Sequence, residues 1–330
     1  MEALKMVDML FTAVTMLIMI PVALFAGILY VFLFRKLSAR FQWRVGPVVS
    51  MYKDLAPLLG ASRILQPLYD ILKLFGKDTP VPDISRKTIF IASPYLAFIC
   101  AFLAIFFIPF PGVPLLSTME ESLVIASYLL IGAVMFTILG AASSGSPWGA
   151  IGARRDIEIF LIYELGFVVA LFSVGLVAGS LSLWEIATRP GLPMLILNPF
   201  AAVLLFLVII GKLAIKPLDM AEAEAEIVAG PFTEYGGKYL GLFQLAKAFL
   251  FYDMVALFIA LFLAPTLNSI LWLPVYIIAV VVILFFITVM QVLHPRFQIA
   301  KAMSWYGRWV LVFGVLTAMM VLVLRFYWVV

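Results

Sequence analysis

The sequence predicts an all-α, polytopic membrane protein with about eight transmembrane helices and an amphipathic helix at the membrane surface. Apolar residues make up 65% of its 330 residues and charged residues only 12%, which is more apolar surface than a water-soluble chain can bury. Apolar runs long enough to cross a bilayer as a helix recur along the chain. The alternation of apolar and polar residues that marks a membrane-spanning strand is absent, so the pattern disfavours a β-barrel.

Eight apolar segments meet the length criterion, and we expect residues 1–330 to form one integral membrane domain. The first segment lacks a cleavage site of small residues and is longer than the apolar core of a signal peptide, so we expect it to be retained. The predicted spans are residues 8–34, 88–110, 121–142, 157–179, 198–216, 239–264, 267–293 and 308–329.

Lysine and arginine are distributed unevenly between the predicted loops. Ten of the 22 lie in residues 35–87, and most of the others flank the loops after spans three, five and seven. Because loops rich in these cations stay in the cytoplasm, we predict a cell-membrane protein with both termini outside. In the last cytoplasmic loop, residues 294–307, Arg296 is expected to be a surface anchor. The pI of about 9.1 reflects these flanking cations and requires no nucleic-acid partner.

Residue usage argues against catalysis, metal binding or a resident cofactor in this chain. The single cysteine, Cys100, excludes a disulfide framework and a thiolate-ligated cluster, and the single histidine, His294, cannot form a metal site alone. No phosphate-binding loop, dinucleotide-binding glycine pattern or nucleophile–base arrangement appears. Asparagine occurs only at positions 198 and 268, a scarcity that fits a thermophilic prokaryote or follows from the apolar composition alone.

The long loop at residues 35–87 contains an amphipathic helical pattern. Asp70, Lys73 and Lys77 lie on its polar side, and apolar residues recur at helical spacing on the other side. Such a helix lies flat at the membrane surface. It serves either as a membrane anchor or as a docking surface for a soluble partner, and the sequence does not separate the two. The apolar face carries Leu65, Leu68, Tyr69, Leu72 and Phe75.

Five of the chain's 18 acidic residues lie within residues 217–238, which we term the acidic loop. Asp219 followed by Glu222 predicts a helix N-cap with its capping partner, and a Gly-Pro pair predicts the end of that helix. Glu222 and Glu226 would then share one face, with Glu224 pointing away. Because the acids crowd beside a bilayer without nearby cations in the sequence, we expect raised pKa values. A solvated helix without a role is the alternative, and the crowding favours a functional site.

Further acids lie in or beside the fourth predicted span. Glu164 is about two turns inside the apolar run, where an ionised group is costly unless it has a partner. Tyr163 and Glu158 are nearby candidates for a relay with Glu164. Glu158 is also expected to pair with Arg154, four positions earlier on the helix.

Four more charges lie inside or at the ends of predicted spans. Lys247 lies about 12 Å and Asp253 about 21 Å from the cytoplasmic end of the sixth span, at ~1.5 Å per residue. Because these two residues are six positions apart, they point to different faces and are expected to pair with other helices. At the end of the fifth span, Lys212 and Lys216 share a face and are expected to extend to the cytoplasmic surface.

Five stretches come in the order and spacing of one known family: RKLSARFQWRVGP, LQPLYDILKLFGKD, GARRDIEIFLIYE, KPLDMAEAEAEIVAGPFTEYGGKYLGLFQLAK and HPRF. In these stretches the chain resembles the membrane subunit of respiratory complex I that covers the quinone chamber, usually called NADH dehydrogenase subunit 1 or the H subunit. Homologues of that protein serve in energy-converting membrane-bound hydrogenases and in a related sulfur-reducing complex. The resemblance spans nearly the whole chain.

The resemblance implies a non-catalytic coupling subunit of a multi-subunit membrane oxidoreductase. Such a subunit anchors a peripheral electron-transfer arm to the membrane and passes charge changes to antiporter-like subunits that move protons or sodium. The iron–sulfur clusters, and nickel–iron in the hydrogenases, belong to the partner subunits. Carried over by position, the coupling acids are Glu164, Glu222, Glu224, Glu226 and Glu234, and the arginines near the chamber are Arg44, Arg155 and Arg296. The residues themselves add Glu158, Lys247 and Asp253 as ion-coupling candidates and Asp70 as a partner or chamber contact.

The chain departs from the family around the quinone chamber. Phe34 stands where the family often has an acid, and Lys247 stands where it usually has glutamate. In the last loop, Gln298 and Ala300 replace the usual arginine and aspartate. These departures favour a hydrogen-evolving or sulfur-reducing complex over a quinone reductase. The alternatives are a subunit that binds quinone under the first loop, a stand-alone secondary transporter, which no internal inverted repeat supports, and a passive membrane anchor.

Overall fold

The computed structural model describes residues 2–44, 46, 65–263 and 267–327, with side chains except those of residues 2–12, 224, 225 and 327. Within these ranges the chain is built of helices and contains no strand, so the predicted all-α class is confirmed. The α-helices are α1 (Glu2–Phe41), α2 (Gln66–Phe75), α3 (Lys87–Ala104), α4 (Ser122–Ser143), α5 (Pro147–Ala178), α6 (Leu183–Thr188), α7 (Met194–Leu197), α8 (Pro199–Lys212), α9 (Glu224–Ile227), α10 (Gly237–Phe262), α11 (Leu273–Leu293) and α12 (Ile299–Tyr327). Short 3₁₀ helices are Leu115–Thr118, Gly230–Phe232 and Ile270–Trp272.

Seven of the described helices are long and apolar enough to cross a membrane, and they coincide with seven of the eight predicted spans. Several boundaries differ. α1 continues to Phe41 and not to residue 34, because nothing after Phe34 breaks a helix before Gly46. α12 begins at Ile299, so the loop predicted at residues 294–307 is shorter than expected. Residues 264, 328 and 329 of the predicted spans, and residues 47–64 of the first loop, lie outside the described ranges.

The fifth predicted span, residues 198–216, is the exception. Its helix α8 has 14 residues, which gives about 21 Å against a hydrocarbon thickness of about 30 Å. Asn198 begins the helix, since its side chain accepts a hydrogen bond from the Ala201 N–H. Beyond Lys212 the backbone leaves the helical path, with a positive φ of 49° at Ala214. The expected extension of this helix to residue 216 is therefore wrong.

Helix α10 occupies the centre of the bundle. Every residue from Ala248 to Phe262 is buried, and α10 packs against α1, α3, α2, α6, α8 and α11. The half of α10 nearest its start instead borders the acidic loop and α2. Asp253 lies within this buried stretch, whereas Lys247 lies one residue before it and stays partly exposed.

The acidic loop folds back on itself and docks on α5. Gly230 has a positive φ of 50°, and a Cβ there would lie 1.8 Å from the Ala221 carbonyl oxygen. A Cβ at Gly152 of α5 would lie 2.8 Å from the Pro231 nitrogen. Tyr235 stacks on Phe90 with ring centroids 4.1 Å apart, which fixes the end of the loop to α3. These close contacts hold the acidic loop in one position against the bundle.

Helix α2 confirms the predicted amphipathic helix, but the residues that it buries against the bundle are not those of the predicted apolar face. Pro67 and Ile71 are buried against the bundle, mainly against α10. Tyr69, Leu72 and Phe75, from the predicted apolar face, are exposed in this chain. The exposed side is therefore free to meet lipid or a partner protein, and both of the predicted alternatives stay open.

Candidate functional site: a cavity bordered by ion pairs

A cavity of about 480 Å³ lies between α1, α2, α10 and the acidic loop. That volume is within the ~300–1,000 Å³ range of small-molecule sites. Apolar side chains form much of the wall, for example Ile28, Ile71 and Phe251. The polar side chains in the wall are Arg35, Asp70, Glu222, Gln244, Lys247 and Gln291.

Lys247 of α10 and Glu222 of the acidic loop form an ion pair at the cavity wall. The Lys247 Nζ lies 2.7 Å from Glu222 Oε1 and 2.8 Å from Oε2. The side chains are 42% and 28% exposed, so the pair is reachable from the cavity. The sequence predicts that Lys247 pairs with another helix, but its partner belongs to the acidic loop, which the fold-back brings to α10.

Asp219 pairs with Arg296, whose Nη2 lies 2.5 Å from the carboxylate Oδ2. Burial raises the pKa of Asp219, and the Arg296 guanidinium opposes part of that rise by its hydrogen bond and charge. The predicted N-cap role of Asp219 is wrong, because no helix starts there and the side chain faces Arg296. The expectation that Arg296 is only a surface anchor is also wrong, because its guanidinium pairs with Asp219.

Glu226 pairs with Arg155 of α5, at 2.6 Å between the carboxylate and the guanidinium. Arg155 also donates a hydrogen bond to the Met220 carbonyl at 3.4 Å. Helix α9 starts only at residue 224, so Glu222 lies outside it and does not share a face with Glu226. The expected raised pKa is confirmed for Asp219, where burial is the main cause and the Glu222 charge adds to it. Cations distant in the sequence nevertheless pair with all three acids.

A fourth pair lies inside the bundle, between Glu164 of α5 and Lys212 at the end of α8. The Lys212 Nζ lies 2.9 Å from Oε1 and donates a hydrogen bond to Oε2 at 3.1 Å. The lysine side chain is 0% exposed and the glutamate side chain 11%. The Phe167 ring centroid lies 3.8 Å from the same Nζ, a cation–π contact. The expectation that Lys212 extends to the surface is wrong, because α8 ends inside the protein.

A small cavity of about 50 Å³ connects the outer pair with the inner pair. Glu222, Lys247 and Lys212 all contribute to its wall, together with Asp156 of α5. Glu222 and Lys247 also line the large cavity. The volume and the four charged side chains in an otherwise largely apolar wall suit a few water molecules. Ionisable groups therefore follow one another from the large cavity to the Glu164–Lys212 pair.

The remaining acids predicted around Glu164 and in the acidic loop have separate positions. Glu158 pairs with Arg154 at 3.2 Å, which confirms the predicted pair. Glu158 is thus not the partner of Glu164. Glu234 is half-buried and has no hydrogen bond or ion pair among the described residues. The side chain of Glu224 lies outside the described part of the structure.

The predicted contacts at the first loop lie beside the cavity. Asp70 of α2 is 3.5 Å from Arg35 of α1, and both side chains line the cavity. Arg44 is not among the described residues that line the cavity; its side chain is exposed and donates a hydrogen bond to the Gln42 side chain at 2.8 Å. The Arg35–Asp70 pair thus connects α2 to α1 at the cavity wall.

Asp253 differs from the other acids. The sequence predicts that it pairs with another helix, but neither carboxyl oxygen has a hydrogen-bond partner among the described residues. The carboxyl is fully buried. The expected pairing with another helix is therefore wrong for the residues that the structure describes.

The sequence does not indicate the roles of two residues of the site, Lys212 and Asp156. Lys212 follows a long apolar run, and its acid partner lies 48 positions earlier on another helix, so local spacing gives no signal. In the sequence, Asp156 is only one of several charges near the start of a span. The structure contains no group of three or more metal-binding side chains among the residues it describes.

The fold and the site define a polytopic membrane protein that keeps paired charges between an internal cavity and its core. The sequence model of the NADH dehydrogenase family matches residues 13–323. The chain therefore belongs to this family.

Individual relatives show which member of the family the chain resembles in sequence. The H subunit of NADH-quinone oxidoreductase from Dehalococcoides mccartyi is 30% identical over 292 residues, which covers 86% of this chain and 78% of the relative. The corresponding protein of Chlorobaculum parvum is 31% identical over 239 residues, 68% of this chain and 63% of that protein. These matches confirm the resemblance that the sequence motifs indicate.

A solved structure is similar as well. A chain of the membrane-bound sulfane sulfur reductase, an archaeal respiratory membrane complex, matches with a TM-score of 0.81 and 27% identity. The match covers 94% of this chain and 99% of that one. The bundle, including its cavity-forming helices, is thus an architecture already known in a respiratory membrane complex.

Proposed function

We propose that this chain is a core membrane subunit of a complex I-related redox complex of the hydrogen-evolving or sulfur-reducing kind. It anchors a peripheral iron–sulfur arm at its charged loops and couples the redox reaction there to translocation of protons or sodium by antiporter-like membrane subunits. The chain itself makes and breaks no bonds. Similarity to the archaeal sulfane sulfur reductase supports this branch, and so do the departures from the quinone-reducing pattern at Phe34 and Lys247.

The observation that carries the proposal is the series of ionisable groups from the large cavity to the Glu164–Lys212 pair. Glu222 and Lys247 line both the large cavity and the small cavity, and Asp156 and Lys212 line the small cavity with them. A change of charge beside the cavity alters the partner or protonation of Lys247 and Glu222, and that alters the field at the inner pair. A closely spaced series of this kind transmits charge without a large movement of the backbone.

The energies involved are of comparable size. Separating a buried ion pair costs about 3–5 kcal/mol, and moving one charge across a membrane potential of 100 mV changes its free energy by about 2.3 kcal/mol. Breaking or re-forming one such pair in response to the redox reaction therefore involves a free energy of the size needed to move an ion in a neighbouring subunit. In this proposal the acidic loop and α2 face the cytoplasm and both termini lie outside the cell membrane.

The experiment compares electron transfer and ion transport in the intact complex reconstituted in vesicles. Glu164→Gln and the double variant Glu222→Gln with Glu226→Gln should keep most of the electron transfer but lose most of the ions moved per electron. Asp83→Asn is the control, because Asp83 is a surface acid that is 97% exposed. Unchanged coupling in both acid variants would refute the proposal and favour a passive membrane anchor.

Purification with partner subunits tests the alternative of a stand-alone transporter. In mild detergent the chain should purify with iron–sulfur subunits and antiporter-like membrane subunits. Nickel in those partners would assign the complex to the hydrogenases, and its absence would favour sulfur reduction. Ion transport by the purified chain alone would instead establish a stand-alone transporter.

A second candidate function is quinone binding, and the cavity favours it. Its volume of about 480 Å³ and its largely apolar wall suit a lipid-soluble ring with a few polar anchors. A complex of this kind would reduce a soluble quinone analogue, and Ala248→Phe, which fills the cavity wall, would suppress that activity. If the complete complex reduces no quinone analogue, the quinone-binding function is refuted and the redox-coupling proposal is unaffected.

A further inference from the structure

Asp156 of α5 is an acid without a cation of its own. Its side chain makes no hydrogen bond or ion pair with any residue that the structure describes. By contrast, Glu222, Glu226 and Glu164 each lie within 2.6–2.9 Å of a cation. Asp156 is only partly exposed, yet its carboxyl oxygens are not among the fully buried polar atoms that lack a partner. The carboxyl group therefore borders space that water can enter.

The position of Asp156 on α5 determines which space this is. Residues four and seven positions apart lie on one face of a helix, so Gly152, Asp156 and Tyr163 share a face of α5. At one end of this face, a Cβ on Gly152 would lie 2.8 Å from the Pro231 nitrogen of the acidic loop. At the other end, a Cβ on Gly211 of α8 would lie 3.3 Å from the Tyr163 Cβ. Asp156 therefore lies between the acidic loop and the end of α8.

The small cavity of about 50 Å³ occupies this gap. Each charged side chain of its wall comes from a different element: Asp156 from α5, Lys212 from α8, Glu222 from the acidic loop and Lys247 from α10. One water molecule takes up about 30 Å³ in the liquid, so the cavity holds only a few of them. Asp156 and Lys247 are therefore separated by a space no wider than a few water molecules.

Lys247 is the cation of this cavity that has room to move. Its Nζ contacts the two Glu222 oxygens at 2.7 and 2.8 Å, and its side chain is 42% exposed. Lys212 is instead 0% exposed and is held by Glu164 at 2.9 Å. A lysine ammonium sits on a flexible four-carbon stem and carries three rotatable donors. Lys247 can therefore change its carboxylate partner by rotation of its own side chain.

The groups around the small cavity include one more carboxylate than cations. Lys247 compensates Glu222 and Lys212 compensates Glu164, which leaves Asp156 uncompensated. Breaking an ion pair is costly chiefly because it leaves a charge without a partner. Here an ammonium that leaves Glu222 meets a second carboxylate across the cavity. Exchange of the partner therefore costs less than separation of the pair.

We propose that Asp156 is the second acceptor of the Lys247 ammonium, which moves from Glu222 to Asp156 across the small cavity during turnover. The proposal rests on the proposed function, since the redox reaction beside the large cavity drives the movement. The displaced ammonium lies on the wall that it shares with Lys212, and Glu222 is left facing the large cavity. Like charges repel strongly where little water screens them, so the movement acts on the Glu164–Lys212 pair. Asp156 acts by positioning this cation.

Ion transport by the intact complex in vesicles tests whether a carboxylate is needed at position 156. Asp156→Asn should move at least several-fold fewer ions per electron while electron transfer is retained. Asp156→Glu keeps the carboxylate and should restore most of the transport. If Asp156→Asn does not assemble, Asp156→Ser removes the same charge with a smaller side chain. Asp83→Asn is the control, at an acid that is 97% exposed.

Two results of this comparison would overturn the proposal. One is unchanged transport in the variant that lacks the carboxylate. The other is an equal loss in that variant and in Asp156→Glu, because a structural role would then explain both.

Double-mutant cycles test the contact itself, without transport. Lys247→Met and Asp156→Asn are combined in the wild-type complex and again in Glu222→Gln, which removes the charge of the first acceptor. Their effects on the midpoint of thermal unfolding should depart further from additivity in Glu222→Gln, because Lys247 then lies against Asp156. Equal departures from additivity in both backgrounds would show that Asp156 does not receive the ammonium.

Failure of this proposal and failure of the proposed function give different results. The proposed function fails if coupling is unchanged in Glu164→Gln and in the double variant of Glu222 and Glu226. Loss of coupling in those variants, together with unchanged transport in Asp156→Asn, would remove only the second acceptor.

Discussion

The ammonium group of Lys247 lies within 2.8 Å of both carboxylate oxygens of Glu222, and the two side chains line both the large and the small cavity. This pair is the point where the cavity and the interior of the bundle meet. Because both side chains are partly exposed, the pair can be altered with little structural damage. It is therefore the most direct place to separate the role of charge from the role of packing.

Replacing Lys247 by methionine should lower stability only modestly, by about 1 kcal/mol, because solvent screens a partly exposed pair. Coupling of electron transfer to ion transport should fall much further. Thermal unfolding of the detergent-solubilised complex measures the first quantity, and ions moved per electron measure the second. Equal percentage losses of electron transfer and ion transport would contradict a role in coupling.

Breaking the inner pair should have a larger structural effect. Lys212→Met leaves the Glu164 carboxylate buried without a cation, which costs about 3–5 kcal/mol. The double variant Lys212→Met with Glu164→Gln should recover most of that loss, since no uncompensated charge remains. Arg154→Ala with Glu158→Ala, at an exposed pair on the same helix, is the control. A double variant as unstable as Lys212→Met alone would show that packing, not charge, dominates there.

The Asp219–Arg296 pair predicts a specific dependence of stability on pH. Burial raises the pKa of folded Asp219, so the folded state binds this proton more tightly than the unfolded state. The stabilising contribution is fully present below the unfolded pKa of about 3.9 and is lost as pH rises through the folded pKa. Asp219→Asn lacks this loss. Its stability relative to the wild type should therefore increase across that interval, by at most about 1.4 kcal/mol per pH unit.

Removing the partner of Asp219 widens the same interval. Arg296→Gln removes the charge and hydrogen bond that hold the pKa of Asp219 down, so the loss of stability should extend to higher pH. Lys301→Gln makes the same change in net charge at an exposed position in α12. Unfolding curves measured over a pH series compare the two. Identical curves for both variants would contradict the assigned pair.

Gly152 tests whether the position of the acidic loop matters. The Cβ of Gly152→Ala would lie 2.8 Å from the Pro231 nitrogen, which forces the loop away from α5 and should cost about 1–3 kcal/mol. We expect weaker coupling as well, because Glu222 and Glu226 move with the loop. Gly307→Ala is the matched control, since its nearest contact is 3.8 Å away. Normal coupling in Gly152→Ala would show that the loop tolerates displacement.

The fold follows from the sequence because long apolar runs and amphipathic spacing are local properties. The ion pairs of the site cannot be predicted from the sequence, because they join residues far apart in the chain. Glu222 and Lys247 are 25 positions apart, and Asp219 and Arg296 are 77 apart. Local spacing correctly predicts the ion pair between Arg154 and Glu158, which are one turn apart on α5. The same reasoning wrongly predicts that Asp219 caps a helix, because its partner Arg296 is distant in the sequence. Lys212 is misjudged because the sequence does not show that α8 ends inside the protein.

The short helix α8 also places a charge below the surface of the bundle. Its 14 residues span about 21 Å, whereas the hydrocarbon layer is about 30 Å thick, and the Lys212 side chain at its end is fully buried in protein. A charge that moves through part of the membrane voltage changes its free energy in proportion to that voltage. Displacing charge at Lys212 along the membrane normal would therefore do electrical work, which would make the polarisation of the cell an input to the complex.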